Sequence, residues 1–181
     1  VAGAIEVTPA TTPDLTVAID SAASAATIGQ TFGMQWTVAN AGQDEVPAGT
    51  SWSDRVIASR NAVLGDADDI ALGTYSSSGP LAAGASRTVT QQVPSPAQEA
   101  TYTLFVVTDP ANQIFEYQGE ANNASAAAGP LEVAYTPMPD LAVSVPAAAV
   151  SEIDATAPFV VTYTVRNDGN ATAAGTWLEE V

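Results

Sequence analysis

The sequence predicts an all-β chain built as an immunoglobulin-like two-sheet β-sandwich, with one complete repeat and partial flanking repeats. Three observations lead there. Phe32, Met34, Trp36 and Val38 alternate with Gly33, Gln35, Thr37 and Ala39, the period-two pattern of a strand with one buried face. The composition is 46% hydrophobic yet only 13% charged, with 13 Gly and 12 Pro. That is too apolar for disorder and too poor in Leu, Lys and Glu for a helical bundle. Finally, the chain repeats itself.

The segment GAIEVTPATTPDL at residues 3–15 returns as GPLEVAYTPMPDL at residues 129–141. FGMQWTVANAG at residues 32–42 returns as FVVTYTVRNDG at residues 159–169, and GTSWSDRV at residues 49–56 as GTWLEEV at residues 175–181, with Trp52 over Trp177. The offsets of 126, 127 and 125 keep their order and differ as loop indels in a duplicated domain would. A period this long implies a domain with its own core in each repeat. The register predicts the last strand of a preceding repeat and a linker in residues 1–12, a complete sandwich in residues 13–135, and a linker with a truncated repeat in residues 136–181.

Within the complete repeat seven strands follow in order. Leu15, Val17 and Ile19 open it, and residues 32–38 and 52–59 come next, placing Trp36 and Trp52 between the sheets. Residues 70–75 form a short strand, and Ser76-Ser77-Ser78-Gly79 reads as a flexible turn. Residues 87–93 alternate, whereas Leu104, Phe105 and Val106 make residues 102–107 apolar on both faces, as in a central strand. Leu131, Val133 and Tyr135 close the repeat, and the alanines at 126–128 read as a strand lead-in. Phe159, Val161, Tyr163 and Val165 repeat the second strand, and residues 4–7 are the closing strand of the preceding copy. Pro9 and Pro13, then Pro137 and Pro139, make the joints short, extended and stiff.

The absent residue types narrow the chemistry. Without Cys or His the chain has no thiol nucleophile, imidazole base or N/S zinc site. Without Lys it has no Schiff base or phosphate-cradling lysine. Four arginines stand against 20 acidic residues, a net charge of −16, so nucleic acid is not a partner. No apolar stretch reaches the length of a membrane span. The expectation is a protein that is not an enzyme.

Two acidic loops remain. Asp66, Asp68 and Asp69 follow the Trp52 strand without the spacing of a helix–loop–helix calcium site. Asp109, Asn112, Glu116, Glu120 and Asn122, with Asn123, fill the long loop before the last strand. This second set offers the oxygen types calcium takes, and immunoglobulin-like topology puts it at the same end as Asp44 and Glu45. Solvated carboxylates that keep an acidic surface soluble, with Asn122-Asn123 as turn residues, are the plainer reading.

The runs PDLTVAI (residues 13–19), FGMQWTVANAG and SWSDRVIAS (residues 51–59), then DADDIALG (66–73), PLAAGASRTVT (80–90), YTLFVVTDP (102–110) and IFEYQGEANN (114–123), resemble in order the bacterial cell-adhesion-related domain CARDB. The resemblance implies an immunoglobulin-like sandwich found in tandem in bacterial surface or secreted proteins, a role in adhesion or structure, and no catalysis. Ile57 stands where that family commonly has an aromatic residue, and Asn61 near a common acidic one. These departures count against a metal role for the loop after the Trp52 strand.

The expected function is therefore an extracellular or cell-surface module, a stiff tandem spacer whose partners are neighbouring repeats. A self-assembling filament subunit, completed by strand exchange between identical chains, is a second expectation. A third is a module that binds a surface protein or glycan through exposed aromatics, for which Tyr75, Phe115 and Tyr117 are candidates.

Overall fold

All seven strands expected in the complete repeat form, and two short ones join them. The computed structural model describes residues 10–117, 119–127, 129–145, 156, 158 and 160–180; the strand expected at residues 4–7 and Phe159 lie outside them. In chain order the strands are β1 (Leu15–Ala22), β2 (Ala25–Thr27), β3 (Thr31–Asn40), β4 (Ser51–Ser59), β5 (Ile70–Ser78), β6 (Ser86–Pro94), β7 (Ala100–Thr108), β8 (Ala124–Ala126), β9 (Leu131–Ala134), β10 (Leu141–Ser144) and β11 (Thr164–Asn167). No helix of the described residues is long and apolar enough to cross a membrane. Contacts divide the chain into two units, Val1–Tyr135 and Thr136–Val181.

In the first unit β1, β3 and β6 form one sheet. The other runs β2-β9-β7-β4-β5, with β8 also pairing β7. The chain changes sheets between β3 and β4, returns between β5 and β6, and crosses again to β7. These crossings give the immunoglobulin-like sandwich. The central strand is β7, with β4 on one edge and β8 and β9 sharing the other. Hence Leu104, Phe105 and Val106 are all buried.

The alternation in β3 is real burial: Phe32, Met34, Trp36 and Val38 are buried and Gly33 is exposed. Trp36, Trp52, Tyr102, Leu15, Met34, Leu104 and Leu131 are the largest fully buried apolar side chains of the core. Each buried aliphatic among them contributes about 1.5–3 kcal/mol.

Three details depart from expectation. Ser76, Ser77 and Ser78 are not a turn: they extend β5 and pair with Ser53, Trp52 and Ser51, because β4 offers an open edge along its whole length. Tyr135 lies beyond β9 and is exposed. The short strands β2 and β8 have no hydrophobic period of their own; β2 exists through parallel pairing with the distant β9.

In the second unit β10 pairs β11 with Leu141 opposite Asn167 and Val143 opposite Val165. The first unit sets Leu15 opposite Asn40 and Val17 opposite Val38, the same register. Below Thr164 the expected strand does not form among the described residues.

Candidate functional site

The β4–β5 loop folds around Asn61. Its Oδ1 accepts from the Val63 N–H at 2.6 Å, while its Nδ2 donates to Asp66 Oδ2 at 2.9 Å and Asp68 Oδ1 at 2.7 Å. Asp68 Oδ2 accepts from the Arg60 N–H and the Ser59 hydroxyl, and Asp69 Oδ2 from the Gly65 N–H. Oxygens of Asp66, Asp68 and Asp69 lie within 4.8 Å of one another. Pairing with Asp66 holds Asp68 below the usual carboxylate range against its partial burial, helped by the Arg60 N–H and Ser59. Three convergent carboxylates are a hard-oxygen donor set that can hold a cation. Asn61 already places an amide donor between two of them.

The β7–β8 loop is organised differently. Asp109, at φ 45°, turns the chain out of β7, and its two oxygens accept from the Gln113 and Ile114 N–H groups at 2.9 and 2.7 Å. Beyond that turn the side chains alternate. Ile114 and Glu116 point inward, 4% and 2% exposed, while Phe115 and Tyr117 are exposed. The Glu116 N–H donates to Glu120 Oε1 at 3.2 Å, and the Gly119 N–H to the Glu116 carbonyl at 3.0 Å.

This loop grips the segment leading into β1. The Thr12 hydroxyl donates to the Glu116 carbonyl at 3.3 Å, and Asn122 Nδ2 to Asp14 Oδ1 at 2.9 Å. A Cβ on Gly119 would collide with the Asp14 carboxylate. Beside these contacts lies a cleft of about 510 Å3 lined by Thr12, Asp14, Gly42, Glu116, Tyr117 and Asn122.

Both carboxylate oxygens of Glu116, Oε2 of Glu120 and Oδ1 of Asn123 are buried with no hydrogen-bond partner among the described residues. Burial pushes Glu116 up to about 7. The Leu15 N–H and the Asn123 side chain pull it down without reaching hydrogen-bond geometry, and the charges of Glu120 and Asp109 add to the rise.

Of the five oxygen donors expected from sequence, the fold buries Glu116 and bonds its N–H to the carboxylate of Glu120. Asp109 is held by its own turn. Asn112, at φ 49°, is an exposed turn residue, and Asn122 is tied to Asp14. Asn123, which reads from sequence as a turn residue, is buried. Asp14 carries no sequence signal as part of this end, since only the fold brings β1 to the loop. Asp44 and Glu45 are exposed. Of the three candidate aromatics, Tyr75 leans on Trp36 with ring centroids 5.4 Å apart, while Phe115 and Tyr117 are exposed.

Among curated proteins none matches the chain. A solved CARDB domain from Pyrococcus furiosus, in complex with di-metal ions, is 22% identical, covers 71% of this chain and 100% of its own, and superposes with a TM-score of 0.50. A solution structure of that domain covers 67% of this chain and 95% of its own at a TM-score of 0.47 and 22% identity. A β-glucosidase from Listeria innocua, 14% identical, matches 68% of this chain over 16% of its own at 0.45. Residues 12–127, which span β1 to β8, match the CARDB family. The chain belongs to the CARDB family of bacterial adhesion-related β-domains.

Proposed function

We propose that the chain is a non-catalytic module of a bacterial cell-surface or secreted protein, a stiff β-sandwich spacer repeated in tandem and serving adhesion. The observation that carries this reading is one joint built twice. Asn40 Oδ1 accepts from the Asp14 and Gly42 N–H groups, both at 3.1 Å. Asn167 Oδ1 accepts from the Asp140 and Gly169 N–H groups at 2.9 and 3.1 Å. Gly42 packs so closely on Thr12 and Asp14, and Gly169 on Met138 and Asp140, that neither has room for a Cβ. A proline-led strand start clamped in this way leaves little freedom to the chain entering each domain. The metal ions of the Pyrococcus relative support a metal ion as this module's cofactor, and calcium suits its oxygen donors.

Small-angle scattering from proteins carrying one, two and three copies tests the spacer. A maximum dimension that grows by a constant increment supports it; growth that flattens like a flexible chain sinks it.

A second reading has its own observation. In the second unit Leu141, Val143, Val161, Trp177 and Leu178 are exposed around a groove of about 420 Å3. The counterparts of the first four, Leu15, Val17, Met34 and Trp52, are core. An identical chain adding strands here would build a filament.

A further inference from the structure

We infer that the β7–β8 loop holds a calcium ion bound by the carboxylates of Glu116 and Glu120 and the side-chain oxygen of Asn123, and that the ion clamps the segment entering β1 onto the sandwich. The argument starts from cost. A carboxylate 2% exposed must be answered by a proton, by donors or by a cation, since burying it bare costs several kcal/mol. Donors answer Glu116 only weakly: the Leu15 N–H and the Asn123 side chain approach it, and neither oxygen has a hydrogen bond of normal geometry among the described residues. Cationic side chains do not answer it. The sequence has no Lys or His, Arg60 donates to Gln98, Arg87 to the Ser78 carbonyl and Arg166 to Asp168, and Arg55 is exposed on β4.

Among the described residues, four acceptor oxygens of this one loop are buried without a partner: two on Glu116, one on Glu120 and one on Asn123. All are hard oxygens, and their irregular loop suits the variable coordination of calcium better than the strict octahedron of magnesium. The cleft beside Glu116 supplies a way in and room for water ligands. The Asp66 loop is more fully answered, because Asn61, Arg60 and Gly65 donate into its carboxylates and, of its oxygens, only Asp69 Oδ1 is buried without a partner among the described residues.

The clamp follows from the loop's other contacts. Glu116 and Asn122 hold Thr12 and Asp14 directly, so an ion that orders residues 116–123 orders the chain entering the domain. This role deepens the spacer reading and rests on it; the binding of the ion does not.

Calorimetric titration of the whole, chelator-stripped chain with calcium chloride tests the site. Calcium is expected to bind, to raise Tm, and to slow amide exchange at residues 12–14 and 119–123. Glu116→Gln and Glu120→Gln, which keep side-chain shape and the acceptor for the Glu116 N–H, should each weaken binding about 100-fold or more. Asp68→Asn should leave it unchanged. Absence of binding at millimolar calcium, or binding that survives both Gln variants and disappears in Asp68→Asn, overturns the site. If Glu116→Gln fails to fold, Glu120→Gln and Asp68→Asn still decide. A chain without a calcium site leaves the spacer standing, and a flexible multi-copy protein leaves the site standing.

Discussion

Trp36 on β3 donates its indole N–H to Asp54 Oδ2 on β4 at 3.0 Å, a hydrogen bond buried between the two sheets. The other oxygen of Asp54 accepts from the Thr108 hydroxyl on β7 at 2.7 Å. One fully buried carboxylate therefore ties together strands from both layers. Asp54→Ala strands two buried donors, and chemical denaturation should show a loss of about 2–5 kcal/mol.

The same carboxylate makes stability depend on pH. Burial raises Asp54 above its ordinary 3.8, against the hydrogen bonds from Trp36 and Thr108. A folded value above the unfolded one means that the fold favours the protonated form. That contribution is complete below the unfolded value and is lost as pH rises through the folded one. Asp54→Asn cannot titrate, so its stability relative to the native chain should rise with pH from about 4 upward. A flat difference across urea melts at several pH values contradicts this.

The two core tryptophans should respond unequally to Phe. Trp52 Nε1 is buried with no hydrogen bond of normal geometry among the described residues and only helps to favour the charged form of Asp54, so Trp52→Phe removes volume and a weaker polar interaction. Trp36→Phe also removes the donor to Asp54 and should cost about 1.5–3 kcal/mol more. Equal losses in parallel urea melts would show that the Trp36–Asp54 bond contributes little.

Gly42 touches the backbone of Thr12 and Asp14 where a Cβ would sit. Gly42→Ala should push the β1 start away and lower stability by about 1–3 kcal/mol. Faster amide exchange at residues 12–15 locates the damage at the joint, and unchanged exchange there argues against it.

Self-assembly has a direct readout. Light scattering of the chain, with calcium and after chelation, should give the one-chain mass at every concentration if it is a spacer. A mass that climbs with concentration, and falls when Leu141→Ser and Trp177→Ser are introduced together, establishes the filament reading instead.

Regular structure was legible wherever a side-chain period met a long strand. Phe32 to Val38 announce β3, and Leu104 to Val106 announce a strand buried on both faces, because strand geometry alone sends successive side chains to opposite sides. The Pro-Asp-Leu strand start, the Asn-x-Gly turn and their return 126 or 127 positions later are likewise written in the chain. Pairing across distance was not: Ala25–Thr27 is a strand only because β9 lies beside it. In the β7–β8 loop, Asp109, Asn112 and Tyr117 take positive φ, so spacing no longer says where a side chain points. Sequence could name the oxygens of that loop. The tertiary structure decided that Asp109 would hold a turn while Glu116, Asn123 and one oxygen of Glu120 were buried, because which acceptors go unanswered depends on the donors that distant strands bring to them.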